Sequence, residues 1–263
     1  LSIRRQRQMC IRDRSYKGNI AVDVDSLSLY AGDCLGIVGE SGCGKSTLAS
    51  IIAGFEKQDS GSVIFRGEDI THYNRVQMRN VYSYMQMIFQ IPNDSFDKRY
   101  TIGSSIAEAL AGTYRKKEAL EYVKKLLIDV GLSEEYVCKY PDELSGGECQ
   151  RAAIARALSR KPELLICDEV TSALDMTIQE QIVKLLCSMQ KEMKLSIMFI
   201  CHDLALVSNM CNKIAVMKSG QIIEYGDIRE VITSPQHDYT RELIEASLSL
   251  IHISEPTRLA LIS

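Results

Sequence analysis

The chain has 263 residues, of which 46% are apolar and 25% charged, with a net charge of −3. That is enough apolar material for a buried core in one large domain or two lobes, and ordinary Gly and Pro contents exclude global disorder. No run approaches the ~20 apolar residues of a membrane span and no secretory signal is present, so a soluble intracellular chain is expected.

Nine cysteines, at positions 10, 34, 43, 138, 149, 167, 187, 201 and 211, form no C-x-x-C pair and no metal-finger spacing. Several lie inside apolar runs such as "LLICDE" and "IMFICHD", which reads as small buried thiols with no redox role. The two ends read differently. Residues 3–14, "IRRQRQMCIRDR", and 248–258, "LSLIHISEPTR", resemble translations of the oligonucleotide ends used in transposon-based DNA sequencing libraries. Residues 1–14 and 248–263 are therefore expected to be adapter-derived, and the protein is expected to be a fragment running from about Ser15 to Ser247. Removing a +4 N-terminal stretch and a neutral C-terminal one from a chain of −3 leaves −7 for residues 15–247, which gives no support to a nucleic-acid partner.

Along the remaining chain, "VDSLSLYAGDCLGIVG" reads as two strands around a turn at Ala31-Gly32-Asp33, the second a short buried run ending at Val38. Apolar residues at helical spacing follow from Lys45 to Ala53. "GSVIFRGEDI" reads as a strand and turn, and "YSYMQMIFQ" as a further strand. From Thr101 to about Glu135 the pattern is helical, and "CQRAAIARALSR" predicts another helix stopped by Pro162. Strand "ELLICD", a helix over about 177–193, strand "SIMFIC", a short helix and strands "KIAVMKSG" and "QIIEYG" complete the pattern. A mostly parallel α/β core, residues 15–91 and 156–225, is expected to be interrupted by a helical insertion, 92–155, with a C-terminal extension over 226–247.

"GESGCGKST" meets G-x-x-x-x-G-K-[ST] at Gly39, Gly44, Lys45 and Ser46, with Glu40, Ser41, Gly42, Cys43 and Thr47 completing the loop. Glycines let backbone N–H groups face phosphates, and the helix N-terminus adds partial positive charge. Lys45 would reach the β- and γ-phosphates of a nucleotide and Ser46 would ligate Mg²⁺. "LLICDE" is an apolar strand ending in two acids: Asp168 suits the metal's hydration shell and Glu169 suits activation of a water. "ELSGGECQR" opens a helix with Leu144, Ser145, Gly146, Gly147 and Glu148, a second anion-binding helix start. One nucleotide does not need two, so these residues suit the ATP of another subunit.

These segments, with "MIFQIPNDSF" and "FICHD", stand in the order and spacing of an ABC transporter ATPase subunit, and the resemblance covers essentially all of residues 15–247. It implies a P-loop NTPase fold with a RecA-like parallel core, an N-terminal antiparallel β part, truncated here, and an inserted helical subdomain. It implies ATP and Mg²⁺ as ligands and ATP hydrolysis as the reaction. By the same resemblance Gln90 senses Mg²⁺, Ser145–Gly147 complete the partner's ATP site and Asp175 crosses the dimer interface. His202 then contacts the γ-phosphate, and Tyr16, 29 residues before Lys45, stacks on adenine. For Asp175 a plain helix cap remains the alternative.

"MQMIFQIPNDSFDKR" and the tail "PQHDYTRELIEA" are similar to the peptide and nickel importer branch, with Ile91 in place of an acid, Asp238 in place of a proline and Glu148 in place of Gln. The implied partners are a second ATPase subunit in a homo- or heterodimer, transmembrane permease subunits and, indirectly, a solute-binding protein. The implied location is the cytoplasmic face of the membrane. Alternatives are another importer class or a non-transport relative acting on nucleic acid or ribosomes. Against coiled-coil DNA-repair relatives stands the interval from Lys45 to Ser145, which is 100 residues rather than hundreds.

Overall fold

The computed structural model describes residues 7–9, 14–16, 19–111 and 115–254, with residues 7–9, 14–16, 19–21, 116 and 248–254 described in backbone alone. Three short strands come first, β1 (Arg7–Met9), β2 (Arg14–Tyr16) and β3 (Asn19–Val22), of which β2 and β3 pair antiparallel. β4 (Leu29–Tyr30) pairs antiparallel with β1 and leads through the expected Ala31-Gly32-Asp33 turn into β5 (Cys34–Val38). Helix α1 (Lys45–Ile52) follows, then a two-residue hairpin of β6 (Ile64–Phe65) and β7 (Glu68–Asp69).

Helix α2 (Arg75–Val81) has no counterpart in the elements expected from periodicity. Its signal is a capping box: Asn74 accepts from the N–H groups of Val76 and Gln77, and the Gln77 side chain accepts from Asn74 N–H. β8 (Met85–Ile88) then leads to the helical insertion, α3 (Ile102–Ala109), α4 (Lys116–Asp129) and α5 (Gly146–Leu158). α5 is continuous across residue 155, so one helix joins the insertion to the core.

The remainder alternates: β9 (Leu164–Asp168), α6 (Met176–Met193), β10 (Ser196–Ile200), α7 (Leu204–Met210), β11 (Lys213–Lys218) and β12 (Gln221–Asp227). Two helices close the described chain, α8 (Ile228–Thr233) and α9 (Asp238–Ser254).

The main sheet has the order β12-β11-β5-β10-β9-β8, parallel throughout except for β12, which is antiparallel to β11. Every residue of β5, β9 and β10 is buried, as a parallel sheet covered on both faces requires. Alternation along β10 divides the core in two. Ile197 and Phe199 join the helical insertion, α5 and α7 on one face, while Met198 and Ile200 join Leu35, Ile37 and α1 on the other. The fit is tight at Gly36, where a Cβ would lie 2.1 Å from Val207 Cγ1 of α7.

Of the eight described cysteines, six are buried, Cys167 and Cys201 of the apolar runs among them, while Cys187 is half-buried and Cys138 is exposed. Cys34 and Cys211 lie with their sulfurs 3.2 Å apart, and burial pushes the Cys211 thiol well above the usual range. No helix among the described residues is long and apolar enough to cross a membrane.

Candidate nucleotide site

Parallel strands present their C-terminal ends at one edge of the sheet, the usual ligand crevice of an α/β fold. β5 delivers Gly39 to that edge, β9 delivers Asp168 and Glu169, and β10 delivers His202, with Ile200 in register with both Ile37 and Asp168. The loop Gly39–Thr47 connects β5 to α1. Gly39 has φ 155°, and a Cβ there would lie 2.1 Å from the Met217 carbonyl oxygen. Gly44, at φ 105°, is the N-cap of α1 and supplies no side chain to its first N–H groups. By contrast α2, α3, α5, α6 and α7 are capped by Asn74, Thr101, Ser145, Asp175 and Asp203. α1 thus leaves its orphan donors turned toward the crevice, as an anion-binding helix start does.

Lys45, 4% exposed, lies back along the loop, and its ammonium donates to the carbonyl oxygens of Gly39 and Glu40 at 2.8 Å each. Ser46 Oγ donates to Asp168 Oδ1 at 2.9 Å. Burial pushes the Asp168 carboxyl above its ordinary value, opposed by the Ser46 hydrogen bond and assisted by the Glu169 charge. Glu169 sits in the left-handed region, φ 47°, where an L residue is strained. Its N–H donates to Ile200 O at 3.0 Å, and its Oε2 accepts from Gln90 Nε2 at 2.8 Å. These groups bound a cleft of about 390 Å³ lined by Ser41–Thr47, Gln90, Glu169, Ser219 and Gly220.

His202 is exposed beyond β10, at the edge that carries Asp168, and makes no hydrogen bond among the described residues. Asp203 beside it caps α7 through Ala205 N–H at 2.7 Å. Asp175 caps α6, its Oδ1 accepting from Ile178 N–H at 3.0 Å. Tyr16 belongs to β2, but its side chain lies outside the described residues.

Leu144–Glu148 do not line the cleft. They form the tip of α5, where Glu148 accepts from Ser145 N–H and Oγ at 2.8 Å each and from the Tyr136 hydroxyl. The Tyr136 hydroxyl, followed by the Ser145 donors, holds the Glu148 carboxyl down at about 2. Gly147 faces α6 so closely that a Cβ would lie 3.0 Å from Ile178 Cγ2.

Periodicity and motif spacing missed three contributors. Ser219 and Gly220, in the turn between β11 and β12, line the cleft, and Gly220 N–H donates to Cys43 O at 2.9 Å. Tyr239 on α9 accepts the Glu40 N–H at 3.0 Å. It belongs to the segment "PQHDYTRELIEA", a signal visible in the chain but with nothing to place it against the loop.

Comparison with known proteins follows the same lines. The ABC transporter family profile matches residues 22–172. The chain is 48% identical over 230 residues to the oligopeptide transport ATP-binding protein OppF of Escherichia coli (strain K12), a match covering 86% of this chain and 69% of that protein. Among solved structures it is similar to CbiO1 of Clostridium perfringens, part of the ABC transporter complex CbiONQ. That match has a TM-score of 0.78 at 28% identity, over 95% of this chain and 99% of the other. The dimeric structure of MJ0796, a bacterial ABC transporter cassette, matches with a TM-score of 0.77 at 25% identity, over 84% and 99% of the respective chains.

Proposed function

Because the chain belongs to the ABC transporter family, as the ATP-binding and ATP-hydrolysing subunit of an importer, we propose that it powers the uptake of peptides, with Glu169 as the general base. The observation that carries this reading is the 2.8 Å pair of Gln90 and Glu169 at the mouth of a cleft whose helix start is uncapped. Peptides are favoured over nickel because the OppF protein, similar over 86% of this chain, is an oligopeptide transport protein.

In this reading Lys45 exchanges the Gly39 and Glu40 carbonyls for the β- and γ-phosphates of ATP, and the α1 N–H groups bind the same oxygens. Glu169 takes a proton from water as the water oxygen bonds to the γ-phosphorus. The bond from that phosphorus to the β–γ bridging oxygen breaks, and ADP leaves with the electron pair. Gln90 orients the Glu169 carboxylate, and His202 meets the γ-phosphate from the end of β10. Ser46, Asp168 and the amide oxygen of Gln90 are hard oxygen donors suited to Mg²⁺, and Ser46 commits its proton to Asp168, which leaves its oxygen lone pairs for a cation. Bound there, Mg²⁺ would neutralise phosphate charge.

Ser145–Gly147 complete the ATP site of a second cassette, and Asp175 lies at that interface. The dimeric MJ0796 cassette, to which the chain is similar, supports this arrangement. A transmembrane permease subunit engages the groove beside Gln90, at the cytoplasmic face of the membrane. There Phe55 and Phe89 are exposed and stack at 5.8 Å, Arg156 and Ala157 of α5 also line the groove, and Ile91, two residues beyond Phe89, is exposed as well. Residues 1–14 and 248–263 are read as adapter-derived, which resequencing of the source locus checks directly.

The test is Glu169→Gln in the purified chain, with its cognate partner if it heterodimerises. Hydrolysis is expected to fall about 10²–10⁴-fold while ATP binding persists. An unchanged hydrolysis rate would remove Glu169 as the base.

A further inference from the structure

We propose that Tyr239, on the C-terminal helix α9, is a positioning residue for the phosphate-binding loop, so that docking of the segment 235–240 sets how tightly the loop holds a nucleotide. The proposal rests on that loop being the ATP site.

The Gly39–Glu40 peptide unit is held from both sides. Its carbonyl oxygen, on Gly39, accepts from Lys45 Nζ at 2.8 Å, and its N–H, on Glu40, donates to the Tyr239 hydroxyl oxygen at 3.0 Å. The two groups of a trans peptide point in opposite directions, so the two contacts together fix the orientation of the plane. Fixing it has a purpose here, because Gly39 has no Cβ and its φ of 155° lies where few side chains go, so nothing intrinsic prevents this peptide from turning. When Lys45 moves to the phosphates, the carbonyl contact is lost and Tyr239 alone retains the plane. The far end of the loop is held separately by Gly220 N–H on Cys43 O, at 2.9 Å.

Tyr239 is itself held rigidly. It is 3% exposed, and Lys218, at the end of β11, lies 4.5 Å from its ring centroid. Its own N–H donates to His237 Nδ1 at 3.1 Å. The segment is bracketed to β12 through Glu224, which accepts from Gln236 N–H at 2.8 Å and His237 N–H at 3.3 Å. A shift of this bracket moves the hydroxyl, and with it the loop entrance, although the segment lies 199 residues away in sequence from Glu40.

Tyr239→Phe removes the hydroxyl and keeps the ring, and leaves the Glu40 N–H without its acceptor. Without that acceptor the peptide plane is no longer retained once Lys45 leaves the Gly39 carbonyl, and the dissociation constant for Mg-ATP is expected to rise roughly tenfold. Turnover at saturating ATP should stay within about twofold, and hydrogen exchange at the Glu40 amide should accelerate. Glu224→Gln, which weakens the bracket without touching the loop, is expected to shift the dissociation constant in the same direction by a smaller factor. Wild-type affinity in Tyr239→Phe, or a fall in melting temperature with affinity and Glu40 exchange unchanged, would overturn the proposal while leaving the ATP site standing. Failure of the wild-type chain to bind Mg-ATP would sink the site and this inference together.

Discussion

Gln90 Nε2 donates to Glu169 Oε2 across 2.8 Å, joining the second residue past β8 to the residue just after β9. These strands are parallel neighbours, so the contact is a consequence of their shared C-terminal edge. Gln90 is exposed and belongs to the segment leading into the helical insertion, whereas Glu169 sits in the left-handed region with its N–H donated to Ile200 O. Any displacement of the insertion is therefore felt first at the carboxylate proposed to activate water.

Replacing Gln90 by Ala tests that coupling. The carboxylate loses its orienting donor but keeps its charge, so kcat for ATP hydrolysis is expected to fall about 10–100-fold, within the range of a mispositioned base. The dissociation constant for ATP should change by less than about threefold. Steady-state hydrolysis alongside equilibrium nucleotide binding separates the two.

Asp168 carries a different cost. Burial raises its folded-state pKa above 3.8, so the ionised carboxylate opposes folding. For an acid shifted upward, that penalty is absent below the unfolded value and fully present once pH exceeds the folded one. Asp168→Asn is expected to be more stable than wild type at pH 7 by about 0.5–2 kcal/mol, the range of such functional-site replacements. The gap should close as pH falls toward 3.8, while hydrolysis is lost. Urea denaturation at pH 7 and pH 4 measures it.

Glu148 shifts the other way. Donation from the Tyr136 hydroxyl and from Ser145 holds its pKa at about 2, against 4.5 for an ordinary glutamate. A depressed acid contributes stability that is present above the unfolded value and lost as pH falls through the folded one. The tip of α5 should therefore loosen between about pH 4.5 and 2, and Glu148→Gln should remove that dependence. Hydrogen exchange of the Ser145–Glu148 amides across this window is the readout.

Much of this architecture can be read from the chain, and the exceptions have physical reasons. β5, β9 and β10 were legible because a strand buried on both faces must be continuously apolar. The proximity of Ser46 to Asp168 was legible because a glycine loop and an acidic strand end meet at one sheet edge. α2 escaped because short helices lack a clear period, although Asn74 and Gln77 carry its capping box. Glu169's positive φ was invisible because no glycine or asparagine marks it. Tyr239 is legible as part of a tail segment but not as part of the site, since no local rule links residues 199 apart.

Gly36 offers a stability test away from the chemistry. A methyl group there would lie 2.1 Å from Val207 Cγ1, and α7 and β5 would have to separate. Gly36→Ala is expected to cost about 1–3 kcal/mol, the usual penalty of overpacking, and to be partly relieved by Val207→Ala in the double variant. Chemical denaturation of the four-member cycle checks both statements.

α5 has thirteen residues without interruption, and Ser145 at its tip and Arg156 near its base belong to different surfaces. A helix of that length is a rod of roughly 20 Å, so a tilt of about 5° pivoting at one end carries the other through roughly 2 Å. Arg156 is tied to the loop after β8 through Ser95 O at 2.7 Å, so the base of the rod cannot swing without dragging that loop. Events at the tip and at the groove thus share one lever arm, and stiffness in α5 becomes the gear ratio between them.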